Sequence, residues 1–422
     1  MSDTVRRDLA ADPALAATVQ RTVEETALAR GLDASGAARL GQAVEEVFVF
    51  VATRARGSSF ALEVRDRRHA LEVRLACRLP ASELHWFNIT QPIDVADASA
   101  LEALELLLAS RLVDRLSVAL DRDGGAVLIL EQQRQYAMPE DAAGAASGGT
   151  AAGAPEPADA ATLPALARLF RRRLGIAVPA AFQADGLALD LAAAGELSAL
   201  VTRDAAGEVV GGVAWTARSP RLVEMLGPVT LGDDAAAAGR LVIALAEALA
   251  ATEATALVSE ERGTGFPVDE LDALGRLGPR PLHYRALRPD AGALAWVDPA
   301  SRPFLAVLHE QLGLQRELRD APPDGDRRLA RALLAADIDR IASRVTLRPL
   351  VDGADMPALI AAHVDRFAAE GLDDFRFETD HGEPWQARLG QELLRTGFAP
   401  RVMLPGAGKG DVLVWERDWM AM

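Results

Sequence analysis

Metal-binding residue types gather in one region near the end of the chain. His363, Asp365 and Glu370 share part of one predicted helix, and His381 follows it. A zinc site on a helix needs two histidines four residues apart, so that both rings reach one ion. The chain has no such His-Glu-x-x-His spacing, and its single cysteine, Cys77, excludes a site built on several thiolates. The pattern therefore predicts no metal site and no intrachain disulfide.

A second candidate for chemistry is the carboxylate of Glu46, in a segment with helical spacing of apolar residues. Phe50 follows one turn later, on the same helix face. The segment resembles the nucleotide-binding helix of the anti-sigma-factor serine kinases and their GHKL ATPase relatives. In that family a Glu activates the attacking group, which the resemblance places at Glu46, and an Asn four residues later holds Mg²⁺. A phenyl ring cannot coordinate Mg²⁺, so Phe50 argues against binding of ATP with Mg²⁺.

The same resemblance extends over most of residues 10–135, but the loops that bind nucleotide in the family are altered. Residues 79–87 lie where an Asp-x-Gly-x-Gly loop is expected, and they contain no glycine. Residues 103–105 replace a Gly-x-Gly whose amides hold phosphate, and they add a negative charge. Glu46 is therefore interpreted as a vestigial base. The family's capture of a sigma factor or of an anti-sigma antagonist becomes the expected role of this part of the chain.

Residues 163–290 carry a second resemblance, to the GNAT acyltransferases. The segment 204–215 is typical of that family's early hairpin, and 224–229 is similar to the strand before its acyl-CoA loop. In the GNAT fold that loop presents amides at a helix N-terminus to the CoA pyrophosphate. The resemblance implies that acyl-CoA contacts Gly227, Val229, Gly239 and Arg240.

Two features of this second region count against transferase chemistry. Asp233 and Asp234 lie where pyrophosphate is expected, and both fit the N-cap and first turn of a helix better. Tyr284 is the candidate general acid, although it lies on a late strand, and a core tyrosine is the alternative. The sequence admits acetyl-CoA as a ligand without requiring it.

Around these residues, alternation and helical spacing predict a mixed α+β protein. Helices are expected at 13–30, 33–54, 99–113, 163–174, 235–252, 268–277, 304–312, 327–343, 356–370 and 384–396. The fold class is a GHKL-like α/β sandwich followed by one extended or tandem GNAT-like α/β region. Its predicted parts are a degenerate anti-sigma-kinase-like domain (1–137), an Ala/Gly/Pro linker (138–162), a GNAT-like domain (163–320) and a second GNAT-like half or C-terminal α/β subdomain (321–422).

Charge and hydropathy limit the kinds of partner that the protein is expected to bind. The formal net charge is −16, from 61 acidic and 45 basic residues, which disfavours nucleic acid and anionic membrane surfaces as partners. No segment approaches the length of uncharged apolar chain that spans a bilayer, and a cytoplasmic bacterial protein is expected. The sequence favours a regulatory, protein-binding pseudoenzyme. The alternative is a GNAT-type N-acyltransferase that uses acetyl-CoA and has an N-terminal regulatory domain.

Overall fold

The computed structural model describes residues 4–55, 59–90, 106–139, 151, 153–232, 234–322, 328–339 and 343–417. Within these residues the strands form two five-stranded sheets, one seven-stranded sheet and one two-stranded pair. The seven-stranded sheet and the C-terminal five-stranded sheet have related topologies.

The N-terminal block is an antiparallel sheet with helices packed on its apolar face. Its strands, in the order β1-β2-β3-β5-β4, are β1 (Thr4–Ala10), β2 (Ser59–Asp66), β3 (Ala70–Cys77), β4 (Arg115–Leu120) and β5 (Ala126–Gln133). The helices are α1 (Ala16–Ala29), α2 (Ala34–Arg54) and α3, described over 106–112. Asp33 caps α2 by accepting from the amide of Gly36. The predicted order of elements is confirmed, apart from the additional strand β1; the GHKL assignment itself stays a prediction.

The middle unit is a seven-stranded sheet between two helical layers. Its strands are β6 (Glu156–Pro157), β7 (Ser198–Arg203), β8 (Val209–Ala217), β9 (Leu222–Thr230), β10 (Ala256–Glu260), β11 (Asp272–Leu277) and β12 (Arg280–Ala286). They lie in the order β11-β12-β10-β9-β8-β7-β6, and only β9 and β10 run parallel. Helices α4 (Leu163–Leu174) and α5 (Asp185–Ala193) precede β7, and α6 (Ala235–Leu249) connects β9 to β10.

The C-terminal unit begins with the parallel pair β13 (Ala293–Val297) and β14 (Arg316–Asp320), joined through α7 (Arg302–Gln311). Its sheet then contains β15 (Leu333–Asp339), β16 (Arg344–Val351), β17 (Asp374–Asp380), β18 (Phe398–Leu404) and β19 (Val412–Arg417). The helices between them are α8 (Met356–Ala369), α9 (Pro384–Ala387) and α10 (Gly390–Arg395). The order β15-β16-β17-β19-β18 repeats the order β8-β9-β10-β12-β11 of the middle unit, including its one parallel pair.

Several predicted elements are wrong. The helix expected at 327–343 is not formed, because Leu333–Asp339 is strand β15; the helix expected at 268–277 is a short 3-10 turn followed by β11. The Ala- and Leu-rich sequence of β15 favours a helix locally, but its first four residues are all buried against neighbouring elements. Tertiary burial overrides the local preference there. Glu156–Pro157, inside the predicted linker, pairs with β7 as an edge strand.

Candidate functional site

The two parallel strands of the middle unit separate partway along their length. β9 pairs with β10 from Leu222 to Met225, and the last partner on β10 is Ser259. β9 continues to Thr230, paired with β8 alone. The main chain of residues 226–230 therefore has no strand beside it where β10 would lie. We call this opening the first fork.

Gly227 shapes the first fork. Its φ is +89°, a left-handed conformation that favours glycine, and the ring of Phe170 lies 3.0 Å from where a Cβ would stand. Phe170 belongs to α4 and stacks on Phe182 with ring centroids 4.2 Å apart. Val229 is buried in the same apolar cluster. The structure thus brings Gly227 and Val229, two of the predicted acyl-CoA contacts, together in the fork.

A serine closes the narrow end of the first fork. Ser259 is fully buried, and its hydroxyl lies 3.0 Å from the carbonyl oxygen of Met225 and 3.1 Å from that of Gly227. One short side chain satisfies the main chain only next to the last strand pair. Beyond that point residues 226–230 are paired with β8 on one side, and none of the described strands pairs with their other side.

Helix α6 starts beside this opening. The side chain of Asp234 accepts a hydrogen bond from the amide of Ala237 at 2.9 Å, which confirms its predicted role as the N-cap. Asp233 lies outside the described residues. Gly239 and Arg240 lie beyond the first turn of α6, where Glu270 approaches Gly239 and Arg240 faces solvent. The N-cap of α6 is thus a carboxylate. Gly239 and Arg240, the other two predicted acyl-CoA contacts, lie further along the helix.

Charged side chains lie on the sheet face opposite α6. Alternation along β9 places Glu224 there, because Val223 and Met225 pack on the α6 side. The partly buried Glu224 carboxylate makes no hydrogen bond or ion pair with any described residue. On β10, Glu260 accepts from Arg262 at 2.5 Å and from Arg280 at 3.1 Å. Glu224 is therefore a carboxylate near the fork that no arginine neutralises by direct contact.

Tyr284 is placed as a core residue. It lies on β12 opposite Val258 and is only 2% exposed. Burial raises the pKa of its hydroxyl to about 12, so the group holds its proton firmly at neutral pH. Because it is enclosed in the apolar cluster shared with the C-terminal unit, this position does not support the general-acid hypothesis.

Phe50, one turn after Glu46 on α2, is packed in the interior of the N-terminal block. Its side chain is 1% exposed, and the guanidinium of Arg54 lies 3.7 Å from the ring centroid. The ring of Phe87 is 6.0 Å away. Glu46 is partly buried on the preceding turn of α2. The described geometry is that of packed aromatic and cationic side chains. The altered loop at 103–105 lies outside the described residues.

The C-terminal unit has an equivalent opening, the second fork. β16 and β17 pair from Arg344 to Leu347 and then separate. Gln386 bridges the separated strands: its Oε1 accepts from the amide of Asp380 at 2.8 Å, and its Nε2 donates to the carbonyl of Pro349 at 3.2 Å. A side chain of the protein itself thus occupies the space between these strands.

The start of α8, beside the second fork, is covered as well. Asp355 accepts from the amide of Ala332 at 2.6 Å, and Ala354 donates to the carbonyl of Leu329 at 2.8 Å. A Cβ on Gly353 would lie 2.2 Å from the Ala332 nitrogen. Residues 328–332 therefore run directly against the helix start.

The N-terminal block holds this covering segment and β15 in place. Asn88 donates to the carbonyl of Ala332 and accepts from the amide of Leu334, both at 2.8 Å. Thr90 contacts Nδ1 of His363 at 2.6 Å. Burial lowers the pKa of His363 to about 4, so the ring is neutral. Sequence reasoning missed Asn88, Gln386 and Ser259, since single polar residues in apolar surroundings carry no motif.

Across the described ranges, no three His, Cys, Asp or Glu side chains are grouped so that they could hold a metal ion. None of the helices described here combines the length and hydropathy needed to cross a bilayer.

No protein-family model matches this chain, and no curated protein matches its sequence. Three solved acetyltransferases are similar to it, each over 32% of its length. Aminoglycoside 6'-acetyltransferase type Ii has 14% identity, a TM-score of 0.28 and 97% of its chain covered. The GNAT family N-acetyltransferase YhbS from Escherichia coli, in complex with CoA, has 20% identity, a TM-score of 0.25 and 82% of its chain covered. A GNAT superfamily phosphinothricin acetyltransferase from Sinorhizobium meliloti, in complex with AcCoA, has 16% identity, a TM-score of 0.26 and 89% of its chain covered.

TM-scores this low do not establish an activity for this chain.

Proposed function

We propose that the protein is an acyl-CoA-dependent N-acyltransferase of the GNAT type whose reaction takes place at the first fork. The proposal is based on the main chain of residues 226–230, which pairs with β8 on one side and has none of the described strands on the other, where Ser259 reaches the Gly227 carbonyl. The pantetheine arm of CoA contains two amides, so it can pair with this main chain as an added strand would. The N-terminus of α6 follows the same end of β9, and its amides would hold the pyrophosphate.

Glu224 is the residue proposed to move the proton. A protonated amine must lose a proton before its nitrogen attacks the thioester carbon, and a carboxylate near the fork can accept it. The new C–N bond then forms and the C–S bond breaks, and the nitrogen loses a second proton as it becomes an amide; the departing CoA thiolate takes up one proton, directly or through solvent. No arginine pairs directly with Glu224 among the described residues, so its carboxylate is available for this step.

Asp234 tunes the binding of the cofactor in this proposal. Its charge at the N-cap opposes an incoming pyrophosphate, whereas an asparagine there still caps the helix and removes the charge. Asp234→Asn is therefore expected to bind acetyl-CoA about 2- to 5-fold more tightly, in line with roughly 0.3–1 kcal/mol for a charge at a helix end. Glu247→Gln is the matched control, because it removes the same charge from an exposed position near the other end of α6.

The test is isothermal titration of the full chain with acetyl-CoA, followed by transfer assays against a panel of primary amines. The proposal predicts saturable binding by the wild type, tighter binding by Asp234→Asn, and unchanged binding by Glu247→Gln. Glu224→Gln should bind acetyl-CoA normally and lose most transfer activity. Absence of heat with both the wild type and Asp234→Asn would overturn the proposal.

The second candidate is a regulatory role for the N-terminal block, with a sigma factor or an anti-sigma antagonist as its partner. Packing around Phe50 favours contact over nucleotide chemistry in this block. A pull-down with the full chain tests it: recovery of such a partner supports the role, and repeated failure counts against it.

A further inference from the structure

A cavity of about 820 Å³ lies between the turn joining β2 to β3 and the end of α5. It is outside both forks and combines surface from the N-terminal block and the middle unit. Six arginines line it: Arg30, Arg65, Arg67, Arg68, Arg74 and Arg134. Such a concentration of positive charge stands out in a chain whose net charge is −16.

Four carboxylates also line the cavity, and each is already engaged. Glu72 pairs with Arg67 at 3.1 Å and with Arg74 at 3.3 Å. Asp66 pairs with Arg134 at 3.1 Å, and Glu196 pairs with Arg67 at 3.0 Å. The fourth, Asp190, accepts from the hydroxyl of Tyr136 at 2.7 Å. The lining therefore has six guanidinium groups against four occupied carboxylates.

Arg68 is the guanidinium without a partner. Its side chain is exposed and makes no hydrogen bond or ion pair with any described residue. Its φ is +67°, a conformation that is uncommon for residues other than glycine and tends to occur at functional positions. The turn is held by the Arg68 amide, which donates to Asp66 at 2.7 Å, and by the His69 amide, which donates to the Arg67 carbonyl at 2.8 Å.

We infer that this cavity, the arginine cavity, binds a small molecule that carries phosphate groups. A volume of about 820 Å³ lies within the range of about 300–1,000 Å³ that is usual for small-ligand sites. Guanidinium groups match phosphate oxygens in charge and in their two-pronged geometry. Because the lining comes from two parts of the chain, the ligand would join the N-terminal block to α5, next to the existing contacts of Arg67 with Glu196 and of Tyr136 with Asp190.

Inorganic pyrophosphate is the probe, titrated into the full chain by calorimetry at low and at physiological salt. The wild type is expected to bind it, more weakly at the higher salt concentration. Arg68→Gly is the decisive variant, because glycine adopts a φ of +67° freely while the guanidinium is lost. We expect its affinity to fall at least fivefold, with a thermal midpoint no lower than that of the wild type.

Arg78→Ala is the matched control. Arg78 is an exposed arginine of the same block, pairs with Asp123, and does not line the arginine cavity. Its removal should leave pyrophosphate affinity unchanged. Two results would overturn the inference: no binding by the wild type at millimolar pyrophosphate, or equal affinities for Arg68→Gly and Arg78→Ala.

Discussion

The first fork, between β9 and β10, and the second fork, between β16 and β17, share one topology but hold different side chains between their strands. In the first, Ser259 reaches only the carbonyls next to the last strand pair. In the second, Gln386 spans from Asp380 to Pro349. Buried main-chain groups have to find partners. The second fork therefore satisfies its separated strands from within, whereas, beyond the reach of Ser259, no hydrogen bond of a described side chain bridges the separated strands of the first.

The starts of the two adjoining helices follow the same contrast. Among the described residues, the hydrogen bond of the Asp234 side chain at the N-cap of α6 is to Ala237 of the same helix. The start of α8 is covered by residues 328–332, which Asn88 holds through two hydrogen bonds. We therefore regard the C-terminal unit, with the N-terminal block docked on it, as a support for the middle unit, where the transferase site is proposed.

The largest expected effect comes from breaking the support at Asn88. Asn88→Ala leaves the Ala332 carbonyl and the Leu334 amide unpaired in a buried position, which should lower the free energy of unfolding by about 3 kcal/mol. Urea denaturation measures it. Gln133→Ala is the control, since that exposed side chain makes no hydrogen bond with the described residues and its loss should cost under about 0.5 kcal/mol. A loss below about 1 kcal/mol for Asn88→Ala would contradict this account of the docking.

A smaller effect is expected from acid, through His363. Its pKa is lowered to about 4 in the folded state, from about 6.5 in the unfolded chain. Its contribution to stability is complete above about pH 6.5 and is lost as the pH falls towards 4. Between pH 7 and pH 5 this costs about 2 kcal/mol. His363→Gln should remove that part of the pH dependence in urea denaturation, and an unchanged slope would show that the folded ring titrates normally.

The smallest expected effect is at Gln386, which closes the second fork. Gln386→Ala removes two hydrogen bonds and should lower the free energy of unfolding by about 1–2 kcal/mol. Gln391→Ala, an exposed glutamine whose side chain makes no hydrogen bond with the described residues, is the control. Because residues 328–332 still cover α8, the variant should bind acetyl-CoA with unchanged stoichiometry. A second binding site in Gln386→Ala would show that Gln386 alone separates the two forks.

Local signals in the sequence predict much of this architecture. Asp234 is predicted as a helix N-cap and accepts the expected amide hydrogen bond; at the start of α2 the sequence offers Asp33 or Ser35, and Asp33 is the cap. The alternation around Cys77 predicts a buried strand position, which the structure confirms, and burial raises the pKa of this thiol to about 12. Phe50 was expected to exclude a metal ligand and is packed against Arg54.

The features that distinguish the forks could not be predicted, because each depends on contacts between distant parts of the chain. Asn88 and Leu334 are 246 residues apart in the sequence. The sequence of β15 by itself favours a helix, and the contact with Asn88 that holds it as a strand is not visible in it. Gln386 and Pro349 meet only once β16 and β17 are paired. Similarly, Gly227 and Val229 form part of an opening only because β10 ends beside them. Local secondary-structure propensity does not predict contacts between residues that are distant in the sequence.

Hydrogen exchange of the full chain with and without acetyl-CoA tests directly whether the ligand binds at the first fork, because exchange rates report which fork the ligand orders. We expect slower exchange of amides in residues 226–240, at the first fork and the start of α6. Amides in residues 348–358, at the second fork and the start of α8, should exchange at unchanged rates. Protection of 348–358, or no protection at 226–240 with saturating acetyl-CoA, would contradict the assignment of the first fork as the acyl-CoA site.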